Sequence, residues 1–500
     1  MRVALIVALA ACHAAATSPV AVAPTVAEVP MSDPADYAID HVSRAAGEAI
    51  FTRTGIGDPY RTGVPYPIFL SLLRAFPQIL GGTPAELAGK FGFLARTPDP
   101  ASDDLDVREG LPIGMHLTID PLTDVPFVVT NCALCHAERL HWQGGDALVI
   151  GLGNKRVQIH AYDAAFAALT RAHGFTGEHL GRLAGEAAAA HGIAWPERYR
   201  EILVAATVAA LTKRAADRAE LVAHTSDAPP GRVATIESFA LVLGQLTHRG
   251  VVMTPTVGWA KVPDVIGFPV RTTLSWDGSG EGPMDLLAVE ADVAAGVRVA
   301  WLERHPFQGA SLGAYLRQPA PRPAFPGRID RALAERGHSS FDDNCAPCHG
   351  TYGADGRARD YHEQIVELSD LGTDPARAQA ATESFELAAN DQGLTRGYTR
   401  FRRTNGYVPP VLTNVWARAP YGHAGQWPSL AVLATPPEKR PTHFTFAFDA
   451  PYDLEAVGVA TTGAGYAEDA TRPGLSALGH PFLADLGVDA PAVIEYLKTL

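Results

Sequence analysis

Two short phrases of this chain repeat one arrangement of thiols and an imidazole. The phrases are "TNCALCHAER" and "DNCAPCHGTY", and both contain Asn-Cys-Ala-x-Cys-His. Four of the five cysteines in 500 residues lie in them, each pair followed by a histidine: Cys132, Cys135, His136, Cys345, Cys348 and His349. Whatever chemistry needs two thiols and an imidazole at this spacing is needed twice.

The spacing Cys-x-x-Cys-His is the attachment sequence of c-type haem. Two thiols one helical turn apart can each add to a vinyl group of one porphyrin, and the adjacent histidine then reaches the iron as proximal ligand. A four-cysteine zinc site and a pair of redox dithiols are the competing interpretations. Zinc does not require a histidine after each pair, and thioredoxin-like motifs occur in a βαβ context that the sequence lacks. We therefore expect two haem c groups, with His136 and His349 on their irons.

Composition limits the classes of partner. With 47% hydrophobic and 19% charged residues, the chain can bury a large core and is not disordered. Its net charge of −13, without basic clusters, argues against nucleic-acid binding. An acidic surface suits a redox partner protein with a basic docking patch.

The first residues have the pattern of an export signal. "MRVALIVALAAC" has one positive charge, a short apolar run and small residues. The end of residues 1–12 resembles a lipobox, which predicts acylation of Cys12 and anchoring on the periplasmic side of the outer membrane by that lipid alone. The alternative is ordinary cleavage after Ala16, with a periplasmic or secreted product. Residues 13–30 then form a flexible tether.

The rest of the chain is predicted to be mainly α. "TPAELAGKFGFLA" opens with a capping box from Thr83 to Glu86, and residues 196–224 form the longest helical run. Prolines in "RQPAPRPAFPG" indicate a boundary between the two motifs. We expect two cytochrome c-like haem domains: residues 31–320, enlarged by extra helices and loops, and the compact residues 327–500.

Several segments resemble a known family. "RGHSSFDDNCAPCHGTYG" is similar to the opening helix of cytochrome c, with Gly337 and Phe341 before the haem motif, and "IEYLKTL" to the helix that crosses it. "IVELSDLGTDPARA", "YVPPVLTNVWARAPYGHAGQWPSL", "PPEKRPTHF" and "LPIGM…TNCALCH" resemble di-haem cytochromes related to bacterial rubber oxygenases. The likeness to di-haem cytochrome c peroxidases is more distant. The family resemblance as a whole runs from about residue 105 to the end and is densest between residues 335 and 445.

The resemblance implies candidates for the distal faces of the irons. A distal histidine in a Gly-His segment before the last helix corresponds to His480, and His423 in "APYGHAG" is its rival. For the first haem the candidates are Met115 and His116 in "LPIGMHL", and also Met253. The resemblance implies an apolar residue at the place of Met115 and a distal face open to oxygen.

Aromatic residues around His423 complete the set of candidate haem neighbours: Trp416, Tyr421 and Trp427. The two tryptophans could lie between the haems and assist electron transfer, or pack against a porphyrin edge.

Two functions follow, which differ in the sixth ligand of each iron. An iron with two strong axial ligands carries electrons, whereas an iron with an open face binds oxygen or peroxide. We expect an exported electron-transfer cytochrome. The alternative is an enzyme of the oxygenase or peroxidase type that reacts at the N-terminal haem. The peroxidase form is disfavoured because Ala424 follows His423, where relatives have Asn or Asp, and because no methionine lies in the region beyond.

Overall fold

The structure is a computed structural model that describes residues 41–500 except 56, 58, 284–296, 298, 319–321 and 392–398. The predicted signal segment, the tether and Cys12 lie outside the described residues. Within the described part of the chain, no helix has the length and apolar character needed to span a membrane.

Ten helices of eight or more residues are present among the described residues. They are α1 (Arg44–Thr52), α2 (Tyr66–Ala75), α3 (Pro84–Phe91), α4 (Ile159–Leu169), α5 (Gly177–His191), α6 (Glu197–Asp217), α7 (Thr235–Thr247), α8 (Pro306–Leu316), α9 (Arg331–Asn344) and α10 (Ala490–Leu497). Shorter helical segments are Pro59–Thr62, Pro77–Leu80, Leu105–Arg108, Ala219–His224, Val299–Arg304, Ala346–His349, Leu368–Leu371, Ala376–Gln379, Glu383–Ala389, Leu430–Leu433 and Phe482–Asp485.

The strands are short and antiparallel. They are β1 (Val64–Pro65), β2 (Met115–Ile119), β3 (Pro126–Thr130), β4 (Ala137–Trp142), β5 (Gly145–Ile150), β6 (Arg232–Val233), β7 (Ala260–Lys261), β8 (Thr273–Leu274), β9 (Gly280–Glu281), β10 (Thr351–Tyr352), β11 (Ala358–Asp360), β12 (Val366–Glu367), β13 (Arg400–Phe401), β14 (Gly406–Tyr407), β15 (His443–Phe446) and β16 (Tyr466–Asp469). The larger pairings are the sheet β1-β3-β2, the sheet β13-β9-β8 and the hairpin β4-β5.

The fold class is mixed rather than mainly α, since the structure is 43% helical with 13% strand. The difference arises because all sixteen strands of the described residues have only two to six residues. Strands this short show little of the alternating pattern that marks a strand in sequence. The helix start predicted at Thr83 is confirmed: α3 begins at Pro84 and the Thr83 side chain accepts a hydrogen bond from the Glu86 N–H.

The N-terminal part is built around a large apolar core. Helix α2 packs on α5, and α4 packs on α6. These four helices, α3 and strand β3 contribute buried side chains, among them Leu72, Leu87, Phe127, Leu169, Leu180 and Leu203. Burial of such apolar surface is the main source of stability for this layer of helices.

The C-terminal part has the helix crossing that the resemblance implies. Helix α9 packs against α10, and a Cβ on Gly337 would lie only 1.9 Å from the Ala492 carbonyl oxygen. Phe341 and Tyr496 are in ring contact across this crossing, with centroids 5.2 Å apart. The packing of α9 against α10 therefore fixes the position of the second cysteine motif, which follows α9 directly.

The described residues from 41 to 500 all belong to one compact unit. Strand β13 pairs with β9, although the two come from opposite sides of the predicted boundary. The hairpin β4-β5, which follows the first motif directly, contributes Leu140 and Val149 to the C-terminal core. The segments predicted as two domains thus share a sheet and a core, which holds the two motifs at fixed positions relative to each other.

Candidate haem sites

The first motif lies in a tight turn between strands β3 and β4. Asn131 caps a 3-10 helix at Cys132–Leu134 by accepting a hydrogen bond from the Ala133 N–H. The preceding loop approaches closely, because Gly114 has a φ of 88° and a Cβ there would lie 2.1 Å from the Leu134 nitrogen. Only glycine tolerates that combination of conformation and contact. The backbone of the "LPIGM" segment therefore packs directly on the backbone of the first cysteine motif at Leu134.

His136 is oriented by a backbone acceptor. Its Nδ1–H donates to the Pro263 carbonyl at 2.9 Å, which leaves Nε2 as the nitrogen that can bind a metal. Burial lowers the pKa of His136, and this favours the neutral imidazole that coordination requires.

A cavity of about 650 Å³ opens at this motif, and Cys132, Cys135 and His136 all line it. Its size lies within the range of about 300–1,000 Å³ that is usual for cofactor and ligand sites. Much of the wall is apolar and includes Phe69, Leu72, Phe127 and Leu312. The residues present therefore fit a porphyrin attached to Cys132 and Cys135.

Met115 and His116 lie on opposite faces of strand β2. Met115 is buried and lines the cavity, whereas the His116 Nδ1 lies 2.6 Å from an Asp106 carboxylate oxygen, away from the cavity lining. The alternation of side chains along a strand is the reason. His116 is therefore not a distal candidate in this structure.

Met253 is not a candidate either, since it packs on the helical cluster around Phe385 and does not line the cavity. The aromatic ring nearest His136 among the described residues is that of Phe51 in α1, with centroids 6.2 Å apart. A phenyl ring cannot coordinate a metal. Among the described residues, no second imidazole is in ring contact with His136, although His160 lines the same cavity.

The second motif follows helix α9 directly. A one-turn helix over Ala346–His349 contains its second half. Asn344 is the last residue of α9 and donates its side-chain N–H to the Ser340 carbonyl at 2.8 Å. It does not cap the turn of the motif, so the two asparagines have different roles despite their identical position in the phrase.

His349 faces a second histidine. Its Nδ1–H donates to the Pro410 carbonyl at 2.8 Å, and its ring centroid lies 6.3 Å from that of His480. Two imidazoles on one iron, each with an Fe–N bond of about 2 Å and about 1 Å from nitrogen to ring centre, would be separated by about 6 Å. The spacing fits one metal ion between the two rings.

The backbone around His480 is held in an unusual conformation. His480 has a φ of 46°, which is unfavourable for a residue with a Cβ and persists only where the surroundings impose it. Its N–H donates to the Leu371 carbonyl at 2.7 Å. The Arg440 guanidinium donates to the carbonyls of Gly479 at 2.5 Å and His480 at 3.0 Å.

Burial, and secondarily the charge of His349, lower the pKa of His480 to about 3. The Arg440 guanidinium also lies over the Trp427 ring, 5.2 Å from its centroid, and the Trp427 ring lies 5.9 Å from that of His480. Trp427 is thus a neighbour of His480, its indole N–H bonded to the Ala477 carbonyl at 2.7 Å.

His423 is engaged elsewhere. Its ring stacks on Tyr407 with centroids 4.2 Å apart, and its Nε2 lies 3.3 Å from the Tyr407 hydroxyl. Burial lowers its pKa to about 3. His423 is therefore a buried neutral histidine stacked on Tyr407, and it does not share the ring contact of His349.

Trp416 and Tyr421 belong to the C-terminal core. Trp416 is in edge contact with Phe325 at a centroid distance of 5.5 Å. The Tyr421 hydroxyl donates to the backbone, within 3.1 Å of the Val457 carbonyl and 3.2 Å of the Trp416 carbonyl. Trp416 and Tyr421 stabilise the segment before Trp427, whereas the Trp427 ring lies beside that of His480.

An ion pair links the two backbone segments that accept hydrogen bonds from His136 and His349. Asp264 follows the Pro263 acceptor of His136, and its carboxylate lies 3.4 Å from the Arg418 Nε. The Arg418 guanidinium donates to the carbonyls of Val411 and Thr413. Val411 follows Pro410, which accepts the hydrogen bond of His349. Both imidazoles therefore bond to backbone that the Asp264–Arg418 pair holds together.

A zinc site shared by the two cysteine pairs is not supported. Among the described residues, no group of three or more His, Cys, Asp or Glu could hold a metal ion. Each cysteine pair is followed by its own histidine.

Comparisons with known proteins agree with the haem interpretation. Residues 406–445 match the family described as RoxA-like, cytochrome c-like, a segment that includes Tyr407, His423, Trp427 and Arg440. This match supports a RoxA-related cytochrome c with a cytochrome c-like domain near the C-terminus, which implies haem c with iron.

Two curated relatives come from Sinorhizobium fredii (strain NBRC 101917 / NGR234). The chain is 29% identical over 250 residues to the uncharacterized protein y4iM, an alignment that covers 44% of this chain and 52% of that protein. It is 26% identical over 237 residues to the uncharacterized protein y4iJ, covering 35% and 40% respectively. The chain thus spans about half or less of the length of the curated relatives it matches.

Proposed function

We propose that this chain is an electron-transfer cytochrome with two haem c groups, the second of which has a histidine on each face of its iron. The observation that carries the proposal is the 6.3 Å separation of the His349 and His480 rings. When bound, haem c supplies one-electron redox chemistry at its iron.

Each residue of the C-terminal site has a role in this proposal. Cys345 and Cys348 hold the porphyrin, and His349 and His480 are the axial ligands. The Pro410 carbonyl fixes the orientation of His349, and Arg440 fixes the backbone of His480. Two fixed strong ligands minimise rearrangement between oxidation states, which suits electron transfer.

The N-terminal site is proposed to hold the other haem on Cys132 and Cys135, with His136 as proximal ligand. The Asp264–Arg418 pair joins the backbone acceptors of the two proximal histidines, which supports exchange of electrons between the two sites. An acidic surface, from a net charge of −13, favours a basic redox partner.

The haem content and the spin state of the iron, measured in matched variants by absorption and EPR spectroscopy, test the proposal. The protein is expressed together with a cytochrome c maturation system, and its haem content is measured as the pyridine haemochrome. We expect two haems per chain, with one low-spin iron that becomes high-spin in His480→Ala. His423→Ala is the control and should retain the low-spin signal. Loss of that signal in His423→Ala, with retention in His480→Ala, would reverse the ligand assignment.

A second candidate function is the reaction of oxygen or peroxide at the N-terminal site. It is favoured by the cavity of about 650 Å³ and by the phenyl ring of Phe51, rather than an imidazole, near His136. Carbon monoxide binding by the reduced protein separates the two functions. Binding of about one equivalent supports this candidate, and no binding leaves electron transfer alone.

The proposed location is the periplasmic side of the outer membrane, supported by the lipobox-like end of residues 1–12. Labelled palmitate should enter the wild-type chain but not Cys12→Ser. Equal labelling of both would remove the lipid anchor from the proposal.

A further inference from the structure

Two arginines lie at the C-terminal end of the inward-facing stripe of helix α6, Arg214 in its last turn and Arg218 at its C-cap. Leu203, Thr207 and Leu211 are buried on this stripe, and Arg214 and Arg218 continue it at the i+3 and i+7 positions from Leu211. All five residues line the cavity that opens at the first cysteine motif. The helix therefore presents an apolar wall that ends in two guanidinium groups.

The two guanidinium groups share a single carboxylate. Asp163 of helix α4 is 4% exposed and lies 2.9 Å from Arg214 and 2.8 Å from Arg218. Burial would raise the pKa of Asp163, but the two arginines outweigh it and hold that pKa below its usual value. Asp163 is therefore charged, and the group of three carries one net positive charge.

This net positive charge distinguishes the Arg214–Arg218–Asp163 group from the other arginines of the cavity wall. Each of those has a carboxylate of its own, at distances of 3.0, 3.2 and 3.4 Å, in the pairs Arg271–Glu363, Arg377–Asp277 and Arg418–Asp264. The side chain of Arg218 is 15% exposed and that of Arg214 is 39% exposed. An anion at this end of the apolar wall would balance the positive charge.

Unpartnered donors lie in the same place. His160 lines the cavity, is 4% exposed and accepts a hydrogen bond from the Ala234 N–H on Nε2 at 2.9 Å. Burial lowers its pKa to about 4, so the ring is neutral and its proton is on Nδ1. That Nδ1 and the Nε atoms of Arg214 and Arg218 are buried without a hydrogen-bond partner among the described residues. Buried donors of this kind call for an acceptor.

We propose that Arg214 and Arg218, supported by Asp163 and His160, form a binding site for the carboxylate of a ligand whose apolar body lies along the cavity wall. Leu72, Leu80, Phe166 and Leu211 line the same cavity as the two arginines, and this apolar lining suits an alkyl or aromatic body. One carboxylate chemistry has two sources here: a propionate of the haem on Cys132 and Cys135, or the end group of a free aliphatic acid. The first source rests on the proposed function, and the second does not.

Conservative variants of the holoprotein test the site. Arg214→Gln removes the charge while Asp163 keeps Arg218 as its partner, and Arg218→Gln is the second variant in case the first does not fold. Lys213→Gln is the matched control, because Lys213 is the neighbouring residue of the same helix, 70% exposed and paired with Asp217. Binding of decanoate and of decanol is measured by calorimetry, and the propionate bands of the haem by resonance Raman spectroscopy.

The two sources give different results. If the site binds a free acid, decanoate binds about tenfold or more tightly than decanol, the preference is lost in Arg214→Gln or Arg218→Gln, and the propionate bands do not change. If the site binds the haem propionate, decanoate shows no preference, and the propionate bands and the reduction potential shift in the arginine variants but not in Lys213→Gln.

The proposal is overturned if neither decanoate preference nor propionate bands differ between the arginine variants and the control. Failure of the proposed function is recognised separately, since it appears as absence of haem in the pyridine haemochrome, whereas the decanoate measurement can be read without haem.

Discussion

The two cysteine motifs share one sequence phrase, and the histidine of each makes the same kind of hydrogen bond. They differ in the ring that lies near that histidine. In both, the histidine donates to a proline carbonyl, at 2.9 Å for His136 and 2.8 Å for His349. His349 faces His480 at 6.3 Å, whereas the ring at 6.2 Å from His136 is that of Phe51. A cavity of about 650 Å³ opens beside His136. In the proposed function, each motif supplies the attachment cysteines and the proximal histidine, and distant elements determine what each site can do.

The difference follows from which elements supply the opposite face. The segment before α10 brings His480 to the second site with a fixed backbone. Helices α1, α2, α4, α6 and α8 supply apolar side chains to the cavity of the first site. A site with two strong ligands favours electron transfer, and a site with an apolar, unliganded face favours binding of small molecules.

The largest expected effect comes from removing one attachment site. Replacement of Cys345 and Cys348 by serine should lower the haem content from two per chain to one, because the thioether bonds form at these thiols. The matched double variant at Cys132 and Cys135 should lose the other haem. Pyridine haemochrome assays and intact mass measure both. If either double variant retained two covalent haems, the assignment of that motif would be wrong.

A strong effect on stability is expected at the crossing of α9 and α10. Gly337→Ala places a Cβ against the Ala492 carbonyl, and such overpacking should lower the free energy of unfolding by about 1–3 kcal/mol or more. The control is Gly89→Ala in α3, where a Cβ meets nothing within 4 Å and stability should rise by about 0.5–1 kcal/mol. Denaturant unfolding gives both values. Equal stability of the two variants would contradict the close crossing.

A smaller effect is expected where the two sites are joined. Arg418→Met removes the ion pair with Asp264 and the hydrogen bonds to Val411 and Thr413. Electron exchange between the haems, measured by flash photolysis of the carbon monoxide complex, should become several-fold slower, while the haem content stays unchanged. Arg139→Met, which removes an exposed pair with Asp146, is the control. An unchanged rate in Arg418→Met would show that this pair does not couple the sites.

The smallest expected effect distinguishes the two neighbours in β2. Met115→Ala enlarges the cavity and should change carbon monoxide affinity at the N-terminal haem by a few-fold, because Met115 lines that wall. His116→Ala should leave the affinity unchanged, since His116 is paired with Asp106. Stopped-flow measurements of the rate constants check both. The reverse pattern would mean that β2 turns His116, and not Met115, toward the cavity.

Local features were predictable from the sequence. The cap at Thr83 and the histidine after each cysteine pair depend on residues within a few positions. The crossing of α9 and α10 at Gly337 joins distant segments, and only the resemblance to cytochrome c implied it. The choice between Met115 and His116 could also have been made, because strand alternation separates them once β2 is recognised. The strands themselves were underestimated because they are so short.

Contacts between distant segments were not predictable. Pro263 lies 127 positions from His136, and Pro410 lies 61 positions from His349. Any backbone carbonyl can accept a hydrogen bond, so no residue type marks these acceptors. Arg440 was part of a recognised phrase, but its hydrogen bonds to Gly479 and His480 depend on the folded chain. The inward stripe of α6 carried a signal: two arginines at i+3 and i+7 from a buried leucine.

The most direct test of the C-terminal ligand pair is near-infrared magnetic circular dichroism of the oxidised protein, compared between wild type and His480→Ala. We expect a band of bis-histidine ligation in the wild type and its loss in the variant, with both haems still attached. A bis-histidine band that persists in His480→Ala, or one that is missing from the wild type, would contradict the pairing of His349 with His480.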